Sequence, residues 1–212
     1  MGAEAEEYVS RLESALLLDP RARVLDFGCG FGFVAEALAS KVRELFLWDS
    51  SVNMLNRARL NVAGHGNVYF LDLSDPEKCP RDIRFDIILV NSVIQYMDVE
   101  NLSLWLGRWR EMLVPRGRIV ISDLIPPDYP AVSDFTAVLV FSAQRRFLLR
   151  AIWEGFAELI RYWKVRHAYP LLRVTRDDLQ RWATAVGLVV QFLPHNLTCS
   201  PRRTAAILTA ST

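Results

Sequence analysis

The stretch Val24-Leu25-Asp26-Phe27-Gly28-Cys29-Gly30-Phe31-Gly32-Phe33 runs from an apolar strand through three alternating glycines into an amphipathic helix, and few folds accept that order. Gly28, Gly30 and Gly32 let the backbone turn tightly and approach a ligand where a Cβ would collide. A helix opening near Phe31 would point its free N–H groups at that ligand. The stretch reads as a nucleotide-type cofactor site, with a ligand-free glycine turn as the alternative. In the dinucleotide fingerprint G-x-G-x-x-G/A the third small residue would fall at Phe33, too bulky for that position, so a NAD site is weakened.

The chain around this loop alternates strand and helix. Glu44-Leu45-Phe46-Leu47-Trp48 is a second strand ending at Asp49, which lies 21 residues after Gly28. A carboxylate at that offset can accept from both hydroxyls of a ribose, or it can flank the following helix, 51–63. Residues 67–73 make a third strand that reaches Asp72, a residue equally suited to capping a turn. Phe85-Asp86-Ile87-Ile88-Leu89-Val90-Asn91 is the central, doubly buried fourth strand. Leu102, Trp105, Leu106, Trp109, Met112 and Leu113 form a helix packed on the sheet, and Ile119-Val120-Ile121-Ser122 is a fifth strand ending at Asp123. Thr175 and Asp178 open the last long helix as a capping-box variant, and Gly187 closes it. Strands over 188–193 and 204–209 follow, joined by a short loop.

A chain of 212 residues suits one domain, 1–212, in which residues 1–20 form a cover helix with Tyr8, Val9, Leu12, Ala15 and Leu16 inward. With 51% hydrophobic and 23% charged residues it is a folding sequence, and a formal net charge of +1 gives no general pull toward nucleic acid. Cys29, Cys79 and Cys199 suggest neither a disulfide framework nor a zinc site, and no cluster has metal-ligand spacing. The acidic start (Glu4, Glu6, Glu7) and the lack of a long apolar run point to a cytoplasmic protein with no leader and no transmembrane segment. Residues 126–173 leave the sheet pattern. Their helix-like part, 135–169, interleaves large apolar residues with arginines, which fits a lid over the acceptor, a dimer contact or peripheral membrane contact.

Asp26-Phe27-Gly28-Cys29-Gly30-Phe31-Gly32 closely resembles the D-x-G-x-G-x-G loop of class I S-adenosylmethionine-dependent methyltransferases. Asn91-Ser92-Val93-Ile94-Gln95-Tyr96 is similar to the N-S-V-x-Q-Y stretch of some sugar, small-molecule and carrier-bound-substrate members. Leu113-Val114-Pro115-Arg116-Gly117 resembles their L-x-P-G-G turn with Arg116 in place of the first glycine, and Asp123-Leu124-Ile125-Pro126 their D-I-P strand end. The likeness covers 24–123 motif by motif and 175–209 by pattern; the insertion matches nothing.

This resemblance implies an α/β, Rossmann-like fold. Its sheet has seven mostly parallel strands with an antiparallel last strand and helices on both faces; the helical insertion, read from the residues alone, falls between strands five and six. It implies S-adenosyl-L-methionine as cofactor, leaving as S-adenosyl-L-homocysteine, held by Asp26, Phe27, Gly28, Gly30, Gly32, Asp49, Ser50, Met54, Asp72, Leu73, Asn91 and Ser92. Tyr96 and His167 are placed at the acceptor, His195 as the candidate base, and Asp123 or Gln95 as orienting groups. The expected reaction is methyl transfer to a small molecule, most simply an oxygen of a sugar or secondary metabolite. A lipid-linked or carrier-bound acceptor and a non-catalytic interaction protein are the alternatives.

Overall fold

The computed structural model describes residues 2–71, 83–129 and 171–211. In chain order the elements are α1 (Gly2–Leu16), β1 (Arg23–Phe27), α2 (Phe33–Ala39), β2 (Glu44–Trp48), α3 (Val52–Asn61) and β3 (Val68–Phe70). After them come β4 (Phe85–Asn91), α4 (Val99–Met112), β5 (Leu113–Leu124), α5 (Arg176–Ala185), β6 (Leu188–Phe192) and β7 (Thr204–Ala210). The seven strands form one sheet in the order β3-β2-β1-β4-β5-β7-β6. β1 runs parallel to β2 and β4, and the parallel set extends to β3 and β5, whereas β7 is antiparallel to both β5 and β6. The expected sheet is present, and its order reverses between β1 and β4, the switch point where open α/β sheets bind ligands.

Strand alternation decides which helices cover which face. Leu25, Phe27, Ile88, Val90, Ile119 and Ile121 project into one core with α4 and α5; Val24, Leu45, Leu47, Ile87, Leu89 and Val120 project into the other with α1, α2 and α3. Phe27 is wholly buried against Trp48, Trp105 and Trp109 at ring separations of 4.3, 4.6 and 4.9 Å. Burying such a ring contributes about 2–3 kcal/mol, which fastens the strand that leads into the glycine loop. Trp109 of α4 is a core residue, as its spacing suggested, and Trp105 is half-buried and packs against that core.

Several boundaries differ from the sequence reading for local reasons. α2 opens at Phe33, not near Phe31, because the loop closes on itself through Gly32 N–H to the Cys29 carbonyl (2.9 Å) before the helix starts. The helix buries Ala35, Leu38 and Ala39 and leaves Phe33 and Val34 half-buried. β5 begins at Leu113 rather than Ile119, since Leu113 already pairs with Phe85 ahead of a register irregularity between Phe85 and Ile87. The expected turn at Pro115–Gly117 is thus an irregular strand start, with Arg116 at φ 67°. Ala15 is exposed, and the connection 193–203 is a long, partly buried segment instead of a short loop. The capping box forms as read, with Thr175 Oγ1 accepting from Asp178 N–H. Asp72, Leu73, His167 and the helical part of the insertion lie outside the described residues. No helix among the described residues is long and apolar enough to cross a membrane.

Candidate active site

The glycine loop sits at the carboxyl end of β1, beside that of β2. Gly28, Gly30 and Gly32 all take positive φ, at 79°, 54° and 75°. Their surroundings differ. A Cβ on Gly28 would lie 2.3 Å from Val93 Cγ2 and one on Gly32 would lie 3.0 Å from Ala58 Cβ, whereas at Gly30 it would meet nothing within 4 Å. Two glycines therefore serve protein packing, and the middle one keeps the backbone open on its outer side. The loop is tied to β2 through Gly28 and Cys29 N–H to the Trp48 carbonyl (2.7 and 3.0 Å).

Asp49, just past β2, accepts from Gly30 N–H (2.9 Å) and from Ser51 N–H (2.8 Å). The carboxylate both fastens the loop and faces it, and each oxygen retains a lone pair for a further donor. Ser50 is exposed, and Met54 is half-buried with its N–H on the Ser51 hydroxyl (3.4 Å), the N-cap of α3. Phe27 turns its side chain into the opposite core, so only its backbone can serve a ligand.

Asp26 is 3% exposed, and its Oδ2 is buried with no hydrogen-bond partner. Burial, and then the charge of Asp49, push its carboxyl up to about 7. A buried acid with an unused oxygen is costly unless something pairs with it. A hydrogen-bond donor would satisfy it, and a cationic one most strongly.

A second group of residues meets at the carboxyl ends of β4 and β5. Ser92 and Asp123, neither a glycine, hold φ of 58° and 70°, and the Ser92 hydroxyl donates to Asp123 Oδ2 (2.8 Å). Such backbone costs on the order of 1–3 kcal/mol per residue and persists only where the surroundings enforce it. Here the 193–203 segment enforces it. Asn196 Nδ2 (3.1 Å), Thr198 Oγ1 (2.7 Å) and the Arg203 guanidinium all donate to the Asp123 carboxylate, while Asn196 Oδ1 accepts from Asp123 N–H (3.1 Å). Arg203 also donates to Gln95 Oε1 (3.1 Å), which fixes the amide so that its NH2 side is free to point elsewhere. Below this layer Tyr8 Oη lies 3.2 Å from Ser122 Oγ, which donates to Asn91 Oδ1 (2.8 Å). Burial raises the Tyr8 phenol well above its ordinary range and keeps it protonated.

Tyr8, Asn91, Ser92, Gln95, Asp123, Thr198 and Arg203 line a cavity of about 420 Å³ together with Phe33, Val34, Tyr96, Glu4 and Cys199, while Ser122 and Asn196 support that wall from behind. Of the expected site residues, the structure brings Asn91, Ser92, Gln95, Tyr96 and Asp123 to this cavity; Asp26, Asp49 and the glycines form the neighbouring loop site. His195 does not join them. It is exposed and absent from the cavity wall, while the adjacent Asn196 turns inward and is 4% exposed. Asp123, accepting from four donors, is an anchor for the wall and has no capacity left to take a proton from an acceptor. Cys199 is a thiol here, pushed up to about 12 by burial and by its hydrogen bond to Glu4.

Sequence reasoning missed Tyr8, Asn196, Thr198 and Arg203, as well as Phe33 and Val34 as wall residues. Tyr8 carries only the helical spacing of a core residue, and Arg203 lies in a polar stretch with no motif. Phe33 was legible in one respect, as a bulky side chain at a position where a dinucleotide loop needs a small one.

Residues 1–191 match the family described as a methyltransferase domain. The chain belongs to this family. The match ends before the 193–203 segment that braces Asp123. A ubiquinone biosynthesis O-methyltransferase of Bradyrhizobium sp. (strain ORS 278) is 32% identical over 103 residues, 48% of this chain and 40% of the relative. A malonyl-[acyl-carrier protein] O-methyltransferase of Halalkalibacterium halodurans is 30% identical over 122 residues, 55% of this chain and 44% of the relative. The chain thus spans less than half the length of these two curated relatives. Among solved structures, an S-adenosylmethionine-bound amino pentose methyltransferase from Micromonospora echinaspora superposes with a TM-score of 0.65 at 14% identity, covering 99% of this chain and 91% of that one. This methyltransferase domain therefore shares its fold with that enzyme.

Proposed function

We propose that the protein transfers a methyl group from S-adenosylmethionine to a hydroxyl oxygen of a small-molecule acceptor bound in the 420 Å³ cavity, with S-adenosylhomocysteine as the leaving product and the hydroxyl proton released to solvent. One observation carries the reading: the buried, partnerless Oδ2 of Asp26 beneath a loop whose middle glycine is open to a ligand. A cofactor with an ammonium group, ribose hydroxyls and a compact backbone-hugging shape fits that donor set. Asp26 would face the ammonium, Asp49 the ribose, and Gly30 the close approach; Asn91 and Ser92, shared with the cavity wall, would mark the boundary with the acceptor.

S-adenosylmethionine supplies a methyl already activated by its sulfonium sulfur. The protein's part is alignment and dryness. Phe33 and Val34 give the cavity an apolar wall, and the Asp123–Arg203 pair locks Ser92 and Gln95 in place, so the acceptor meets preset hydrogen-bonding groups. Positioning of this kind contributes roughly 7–11 kcal/mol toward a two-body reaction. The charge of the wall favours a neutral hydroxyl over a carboxylate such as a malonyl group. Arg203, the sole cation among the described wall residues, is already paired with Asp123, and Glu4 adds a further negative charge.

Calorimetric titration with S-adenosylhomocysteine and, in parallel, NAD tests the cofactor. The first should bind, weakened about tenfold or more in Asp49→Ala and Asp26→Asn, and NAD should not. Transfer of labelled methyl to a panel of phenols, sugars and malonyl thioesters tests the acceptor. Binding of NAD alone, or of neither ligand, would sink the reading.

A further inference from the structure

A second cavity, of about 490 Å³, opens at the opposite edge of the sheet, among the amino-terminal ends of β1 and β4, the irregular start of β5 and the end of α1. Its wall carries Arg21, Arg23, Arg43, Arg84, Arg116 and Arg118 against Asp19 and Asp86. Much of the local acid is already engaged. Asp19 accepts from the backbone N–H of Arg21 (2.8 Å) and Asp86 from the backbone N–H of Arg23 (2.7 Å). Glu44, outside the wall, is shared by Arg23 (2.7 Å) and Arg43 (3.3 Å). Arg118 donates to the Leu16 carbonyl (2.9 Å), which orients the guanidinium without cancelling its charge.

Among the described residues, and leaving Arg84 aside, five guanidiniums face three carboxylates here, an excess of two positive charges in a chain whose formal net charge is +1. A concave wall concentrates that field. Arg116 is held there by a strand start that costs it a left-handed backbone, φ 67°, where glycine would be at ease. Nothing in methyl transfer at the other edge of the sheet uses these groups.

We propose that this cavity is a binding site for a phosphate group, mono- or diphosphate, with Arg21 and Arg116 as the ligand-directed guanidiniums and Arg118 as a preoriented third. Guanidinium forks match the geometry of phosphate oxygens, and a multiply charged anion neutralises the excess that the acids leave. The group belongs either to a soluble phosphorylated molecule or to an acidic lipid headgroup.

The test compares the full-length wild type with Arg21→Gln/Arg116→Gly, a pair that removes two charges while relieving the strained backbone. Pyrophosphate binding is followed by calorimetry and melting temperature, and vesicle binding by co-sedimentation with phosphatidic acid or phosphatidylcholine alone. Pyrophosphate should bind and stabilise the wild type and bind the pair about tenfold or more weakly, with S-adenosylhomocysteine affinity unchanged. Binding to phosphatidic-acid vesicles alone, lost in the pair, supports the site with a lipid as its source. Should the pair not fold, Arg21→Gln alone gives the same comparison with a smaller loss. Failure of both probes to bind the wild type, or equal binding by the variants, overturns the proposal.

Discussion

The two edges of the sheet are built on opposite terms. At the carboxyl edge the acids Asp26, Asp49 and Asp123 are drawn into the protein, Asp123 in a buried pair with Arg203, and the backbone is strained at Ser92 and Asp123. At the amino edge the charged groups are mostly arginines at the surface; Glu44 pairs with two of them, and Asp19 and Asp86 accept from backbone N–H groups. The first edge stores its energy in burial and backbone conformation, which solvent cannot screen; the second stores it in exposed like charge, which salt can. Changes at the first edge should therefore cost folding free energy, and changes at the second chiefly ligand affinity.

The largest effect expected is that of Arg203→Ala. Removing one partner of a buried ion pair costs about 3–5 kcal/mol, because the other charge stays buried. Asp123 keeps three donors, so urea denaturation should show a loss in the lower part of that range. A change below ~1 kcal/mol would mean that the pair contributes little and that the contrast between edges is wrong.

Next comes Gly28→Ala against Gly30→Ala. Both pay for a left-handed backbone, about 1–2 kcal/mol, but only the first drives a Cβ into Val93 at 2.3 Å, adding about 1–3 kcal/mol of overpacking. Gly28→Ala should lower the melting temperature more, while Gly30→Ala should abolish S-adenosylhomocysteine binding in a folded protein. Equal destabilisation by the two would remove the distinction between a packing glycine and a ligand-facing one.

Asp26 gives a pH signature. Its folded-state carboxyl titrates near 7, above the unfolded value of 3.8, so between those values the folded state holds the extra proton. Stability from this residue is fully present below pH 3.8 and is lost as pH rises toward 7. In Asp26→Asn the melting temperature should fall less across that window, by differential scanning calorimetry. An unchanged slope would show that Asp26 is not protonated in the folded protein.

The smallest effect belongs to the amino edge. Arg116→Gly relieves a left-handed residue and removes a like charge, against the extra chain entropy of glycine, and should stabilise the fold by about 0.5–1 kcal/mol at low salt. The gain should shrink with added salt. A clear loss of stability would mean that Arg116 holds the β5 start together.

Much of the loop site was legible in the sequence. The D-x-G-x-G-x-G spacing, the offset to Asp49 and the apolar runs of β1, β2 and β4 specify a strand, a tight turn and a crossover within a few dozen residues. Periodicity also separated α4 and α5 from the strands, since one-sided burial leaves a mark at each turn. The reading failed where a local pattern has two outcomes. A helix can open at Phe31 or two residues on, and a polar loop can be short and wet or long and half-buried. His195 and Asn196 show the same limit, for adjacent loop residues carry no sign of which will face inward.

By itself the sequence determined the family, the order of strands and helices, and the residues at the ends of β1, β2 and β4. Only the tertiary structure decided what Asp123 does. Its partners come from residues 92, 196, 198 and 203, and Tyr8 comes from the far end of the chain to support the same layer. Glycine loops and strand periods are encoded by near neighbours, because backbone conformation depends on them. A buried polar network and a charged cavity depend on which distant segments the sheet sets side by side, and no spacing along the chain records that.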